Sequence, residues 1–243
     1  MTGMTVTGRL ELVALDATDI VGLASFYAAL TGWRTVRNVD GWITLRAGDG
    51  QEVAFQQVAE HIPPQWPGQE HPQQVHLDLM VDGYEAAAQR AVTLGATRLA
   101  DGATWITLAD PAGHPFDLCQ RDGTGPQLQL FATTIDAPDA SALARFYASL
   151  LGMEVTYDGP EGALAAGSGK SLMFQQVSDY TPPQWPDPAY PQQGHLDVVV
   201  DDPDHLTAVT ARAEELGATR LGGGATWITL ADPAGHPFDL SIP

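Results

Sequence analysis

Apolar and polar residues alternate along the chain in short stretches, interrupted by segments of helical spacing and by Gly and Pro. Residues 10–15 read as an apolar strand. The following "DATD" supplies side chains that cap a helix carrying Leu23, Phe26, Tyr27 and Leu30 on one face, and Gly32 ends that helix. Strands are predicted near residues 35–39, 42–46 and 52–58, the last two joined by the Gly-rich turn "AGDG". After the loop "PPQWP" the cycle repeats, with a strand over 75–81, a helix over 84–94 and strands near Thr97, Trp105 and Phe116. A module of one strand, one helix and three strands therefore occurs twice.

The whole pattern then recurs. "ATWITLADPAGHPFDL" at Ala103 returns unchanged at Ala225, "SFYAAL" at Ser25 answers "RFYASL" at Arg145, and "FQQV" at Phe55 answers "FQQV" at Phe174. "PPQWP", "HLD" and "LGATRL" also recur in order, at offsets between 119 and 122. A tandem duplication follows, with one domain over 1–122, a second over 127–243 and a turn-rich boundary at "RDGTGPQ".

The formal charge of −19, with 11 Lys and Arg against 30 Asp and Glu, excludes a nucleic-acid surface, which needs clustered cations. It favours a cationic partner, if any sign of charge. No apolar run is long enough for a bilayer, so no membrane partner is expected. The start "MTGMTVTGRLELVAL" lacks the pattern of a secretory leader, so the expected location is cytoplasmic. The lone Cys119 has Ser241 as its counterpart and reads as a packing residue. "GSGKS" at Gly167 resembles the end of a phosphate-binding loop, but Leu164 stands where that motif needs Gly, and a hairpin turn is expected instead.

The helix end "FYAALTGW", the strand "HLDLMVD" and the closing "ADPAGHPFDL" resemble the vicinal oxygen chelate superfamily, which includes glyoxalases, extradiol dioxygenases and bleomycin-resistance proteins. The likeness is greatest to its tandem glyoxalase-like members and covers nearly the whole chain. It implies an α+β fold in which four βαβββ modules form two eight-stranded, cup-like half-barrels, with the helices outside and the ligand in the cup. Whether modules pair in sequence order or outer with outer and inner with inner stays open. Pairing in sequence order would make the second cup roomier, because Trp33 and Trp42 of the first copy answer to Met153 and the stretch "GALAAG".

Strand alternation selects the inward residues. Val75, Leu77, Leu79 and Val81 suit packing under a helix, leaving His76 and Asp78 inward; His195 and Asp197 repeat this. By the same argument Trp105 and Thr107 face inward with Asp117, and Trp227 and Thr229 with Asp239. His76, His195, Asp117 and Asp239 are the candidate catalytic residues. Asp78, Asp197, Trp105, Trp227, Gln56, Gln175, Trp66 and Trp185 are the candidate ligand-binding residues. Asp117 and Asp239 are expected within hydrogen-bonding or one-water reach of the inward histidines, because a buried carboxylate needs a partner. His114 and His236, in "DPAGHP", read as solvent-facing turn residues.

The resemblance implies a divalent ion held from the first, fifth and eighth strands, and sometimes from the fourth. His76 and His195 match the fifth-strand histidine, while Asp117 and Asp239 stand where glutamate is usual. Leu12 and Ala132 occupy the first-strand position and cannot ligate; the fourth strand offers Gln56 or Gln57, and Gln175 or Gln176. No resident cofactor and no complete metal site are therefore expected, with a divalent ion on His76, Asp117, His195 and Asp239 as the alternative. The expected function is binding of a small, aromatic or cationic molecule by a monomer or homodimer. The alternatives are a metal-dependent lyase or dioxygenase, or a metal-free enzyme using His and Asp as acid and base.

Overall fold

The computed structural model describes residues 6–68, 70–187 and 189–243; the first five residues, part of the stretch read above for a leader, lie outside them. The first module comprises β1 (Arg9–Ala17), α1 (Ile20–Thr31), β2 (Arg34–Val39), β3 (Trp42–Arg46) and β4 (Glu52–Gln57). The second comprises β5 (Val75–Val81), α2 (Tyr84–Thr93), β6 (Thr97–Asp101), β7 (Trp105–Ala109) and β8 (Pro115–Gln120). The third runs through β9 (Gln129–Ala137), α3 (Ala140–Leu151), β10 (Glu154–Gly159), β11 (Gly162–Gly167) and β12 (Lys170–Gln176). The fourth contains β13 (Gly194–Val199), α4 (Pro203–Glu215), β14 (Thr219–Gly223), β15 (Trp227–Ala231) and β16 (Pro237–Ser241).

Local chemistry sets the helix limits as the sequence predicts. Asp19 and Asp139 each accept a hydrogen bond from the backbone N–H three residues on, at 2.8 Å. At the other end Gly32 and Gly152 adopt the left-handed conformation, with φ of 78° and 66°, which lets each helix terminate at little steric cost. "GSGKS" is the hairpin turn between β11 and β12.

The fold is α+β, with two open eight-stranded sheets in the order β14-β15-β16-β13-β1-β4-β3-β2 and β10-β11-β12-β9-β5-β8-β7-β6. Outer modules thus share one sheet and inner modules the other. The expectation of a roomier second cup rested on pairing in sequence order, and this strand order removes its premise. Trp33 does not narrow a cup either: it is 5% exposed and stacks on Tyr27 with ring centroids 6.5 Å apart.

The chain divides into two compact units, Ala14–Thr134 and the residues up to Val13 with Ile135–Pro243, the divisions falling inside β1 and β9. In the first unit, Tyr27 of α1 stacks on Phe55 of β4 at 5.4 Å, and Phe26 meets Phe116 of β8 edge-on at 6.0 Å. The second unit repeats this core with Tyr147 on Phe174 at 5.5 Å and Phe146 on Phe238 at 6.0 Å. Burial of these rings commits one face of each strand to the helices and leaves the other for chemistry.

Candidate functional site

In the Ala14–Thr134 unit, β5 and β8 run parallel with Asp78 opposite Asp117. Their pleat brings His76, Asp78 and Asp117 together on the face away from α2. His76 Nε2 lies 3.7 Å from Asp78 Oδ1 and 4.0 Å from Asp117 Oδ2. The second unit repeats the group: Asp197 pairs with Asp239 across β13 and β16, and His195 Nε2 lies 3.4 Å from Asp197 Oδ1. In each group one ligand atom from every residue falls within 4.8 Å of the others.

Threonines support both groups. Thr134 donates its hydroxyl to Asp78 Oδ2 at 2.5 Å, Thr107 hydrogen-bonds Asp117, and Thr229 donates to Asp239 Oδ1 at 2.5 Å. Burial pushes the Asp117 and Asp239 carboxyls above the usual carboxylate range, opposed by the neighbouring histidine and threonine. His76 Nδ1 and Asp117 Oδ1 are buried without a hydrogen-bond partner among the described residues. In the second group, Gln192 brings its amide nitrogen to 3.4 Å from His195 Nδ1. Sequence reasoning missed Thr134 and Gln192, because the repeat places Ala14 opposite Thr134 and no motif marks a supporting hydroxyl.

The sequence count of ligands also changes. It credited each group with a histidine and one aspartate, whereas Asp78 and Asp197 add a second carboxylate oxygen from the same strand as the histidine. Three candidate ligand atoms replace two, without help from Leu12 or Ala132.

Trp105 and Trp227 remain 41% and 44% exposed on the strands next to β8 and β16. Each indole lies against a glycine: a Cβ on Gly102 would stand 2.1 Å from the Trp105 ring, and one on Gly224 2.7 Å from Trp227 Nε1. Trp105 shares a face with Thr107 and hence with Asp117, about 7 Å away along the strand. Gln56 and Gln175 are half-buried, while Gln176 accepts from Ala140 N–H and donates to the Pro138 carbonyl at the start of α3. Trp66 and Trp185 are half-buried, each preceding a cis proline.

The structure overturns the reading of His114 and His236 as solvent-facing. They are 1% and 6% exposed. The turn folds back on its own carboxylate: Asp110 Oδ1 accepts from Ala112 and His114 N–H at 2.8 and 3.0 Å, and Asp110 Oδ2 accepts from the Tyr27 hydroxyl at 3.0 Å. His114 Nδ1 lies 3.2 Å from the same oxygen. Asp232 repeats the arrangement with Ala234, His236 and Tyr147. Pro and Gly explained the turn so completely that its aspartate, buried through a contact with a distant helix, left no local signal.

The copies differ beside this turn. His61 sits with its ring centroid 4.8 Å from that of His114, where the second copy has Tyr180, whose hydroxyl donates to the Ala234 carbonyl. Burial first, and His114 second, lower the His61 pKa to about 4. A depressed histidine contributes stability that is complete above its unfolded value of about 6.5 and is lost as pH falls toward the folded value. His61→Tyr is therefore expected to recover about 1 kcal/mol of stability at pH 5, after discounting for partial exposure, and little at pH 8. Urea denaturation at the two pH values checks this, and equal effects at both would contradict it.

A family model described as "Glyoxalase-like domain" matches residues 12–119 and again 132–241. Glyoxalase I from Zea mays has a similar structure, with a TM-score of 0.69 at 18% identity over 97% of this chain and 92% of that one. A candidate dioxygenase from Bacillus subtilis gives 0.65 at 12% identity over 98% of this chain and 86% of that one. No curated protein matches in sequence. At these identities the structural likeness shows the fold alone.

Proposed function

Because the chain belongs to the glyoxalase-like domain family and carries that domain twice, as a tandem vicinal oxygen chelate protein, we propose that each His-Asp-Asp group is a small-molecule site assembled around a divalent cation. The observation that carries this reading is the convergence of one imidazole nitrogen and two carboxylate oxygens within 4.8 Å in both units. Three protein ligands match the usual make-up of a catalytic metal site, which leaves its remaining position to water or substrate. One nitrogen with two carboxylate oxygens suits a borderline or hard divalent ion. His76, Asp78 and Asp117 would hold it in one unit, and His195, Asp197 and Asp239 in the other. Bound there, a divalent ion supplies Lewis-acid polarisation of a ligand oxygen.

The chain's own residues supply orientation. Thr134, Thr107 and Thr229 fix carboxylate rotamers, which limits reorganisation when a ligand arrives. Trp105 and Trp227 offer exposed flat surfaces for an aromatic or cationic part of the molecule. A second, metal-free reading is favoured by the raised pKa of Asp117 beside His76, a pairing suited to proton transfer.

Elemental analysis and Mn²⁺ and Zn²⁺ calorimetry separate the two. The expected result is two ions per chain, with Asp78→Asn and Asp197→Asn each abolishing one site and sparing the other. Failure of the wild type to bind either ion would leave the acid–base reading.

A further inference from the structure

The sheet of β2, β3 and β4 carries a cationic face in an otherwise strongly acidic chain. Ile43, Leu45, Val53 and Phe55 point to α1 and are at most 4% exposed, so Trp42, Thr44 and Arg46 occupy the other face. Arg34 lies opposite Arg46, Arg37 opposite Thr44, and Val39 opposite Trp42. Residues three apart on a regular strand point to opposite sides. The bulge between Thr35 and Arg37 inserts one residue, so Arg34 and Arg37 share the face with Arg46.

Arg46 is neutralised by Glu52, to which its Nε donates at 2.6 Å. Arg34 and Arg37 have no carboxylate partner among the described residues, in a chain with 30 acidic side chains. The Arg37 guanidinium instead lies over the Trp42 indole, 5.9 Å from its centroid. Trp42 is itself fixed by donating Nε1–H to the Thr44 hydroxyl at 2.9 Å. Val39, 48% exposed, continues the apolar end of this face.

The sister copy keeps the architecture and drops the chemistry. The same bulge lies between Val155 and Tyr157, and Glu154, Tyr157, Gly162 and Ala166 stand at the positions of Arg34, Arg37, Trp42 and Arg46. The cations are therefore not needed to build the strands.

We propose that the β2–β4 face is a binding site for a small organic anion with a planar ring, the anion taken by Arg37 and Arg34 and the ring laid against Trp42 and Val39. Unpaired guanidiniums present planar donor forks to a carboxylate or phosphate, and stacking of Arg37 on Trp42 pre-organises one fork beside an apolar surface. The proposal does not depend on a metal in the His-Asp-Asp groups.

The test is calorimetry at low salt in the presence of a chelator, so that no divalent ion recruits the anion. Benzoate, inorganic phosphate and benzyl alcohol serve as probes of the wild type and of Arg34→Glu/Arg37→Tyr, which installs residues that the sister strand already tolerates. Benzoate is expected to bind at least about tenfold more tightly than either other probe, and to lose about tenfold or more in the variant. Arg145→Gln, a cation on another face, should change nothing, and circular dichroism should show both variants folded. Absence of benzoate binding, benzoate affinity unchanged in the double variant, or phosphate or benzyl alcohol binding as tightly as benzoate would overturn the proposal.

Discussion

Asp110→Ala is expected to destabilise the protein by about 4 kcal/mol, far more than a typical single substitution. The carboxylate side chain is fully buried and accepts from two backbone N–H groups and the Tyr27 hydroxyl. Removing it leaves three donors with no acceptor, two of them buried and the Ala112 N–H half-buried, at about 1–3 kcal/mol for each buried one before relaxation. Burial and the neighbouring aspartate keep Tyr27 protonated as a donor by raising its pKa well above the ordinary value. Asp232→Ala should behave alike, because Ala234, His236 and Tyr147 repeat the contacts. Tyr27→Phe removes one donor along with its bond and should cost only about 1 kcal/mol. Urea denaturation measures all three. A loss under about 1 kcal/mol for Asp110→Ala would show that the turn holds itself without its carboxylate.

The second large effect concerns the His-Asp-Asp groups and rests on the proposed ion. Asp117→Asn and Asp239→Asn are each expected to weaken divalent-ion binding in their own unit by about 100-fold or more, since each removes a charged ligand. The pH dependence follows from the raised carboxyls. A proton competes with the ion, so wild-type affinity should fall as pH drops through the raised Asp117 and Asp239 values, which lie above the ordinary 3.8. In ion-free protein the sign for stability is opposite. A carboxyl whose folded pKa is raised contributes stability that is complete below its unfolded value and lost as pH rises through the folded one. Ion-free Asp117→Asn should therefore be no less stable than ion-free wild type at neutral pH, although it loses the stabilisation that the ion confers. Thermal melts with chelator and with Mn²⁺ provide both readings. A large loss of stability in the chelated variant would make Asp117 a structural residue.

These two carboxylate systems show where sequence and tertiary structure divide the work. Strand, helix and turn identities were legible because each depends on neighbours in sequence: the alternation of "VHLDLMV" set which side faces the helix, and Asp19 and Gly32 set where α1 begins and ends. The same alternation placed His76 and Asp117 on one face, and parallel pairing of β5 with β8 brought them within 4.0 Å. The duplication was legible because "ATWITLADPAGHPFDL" returns verbatim and shorter stretches recur in the same order.

Residues that act across long separations were not legible. Asp110 becomes a buried acceptor only when α1 delivers Tyr27, 83 positions away, and Thr134 reaches Asp78 across 56. In sequence Asp78 stands among the ligand-binding candidates but not among the possible metal ligands, because whether its oxygen meets that of Asp117 depends on how closely β5 and β8 run. The pairing of outer and inner modules was undecided for the same reason: all four modules carry similar edges, and local pattern cannot say which edge meets which. The sequence alone determined the modules, their faces and their inward histidines. Tertiary structure decided strand order, the third candidate ligand and the burial of the turn, because these depend on distances between segments that no local pattern encodes.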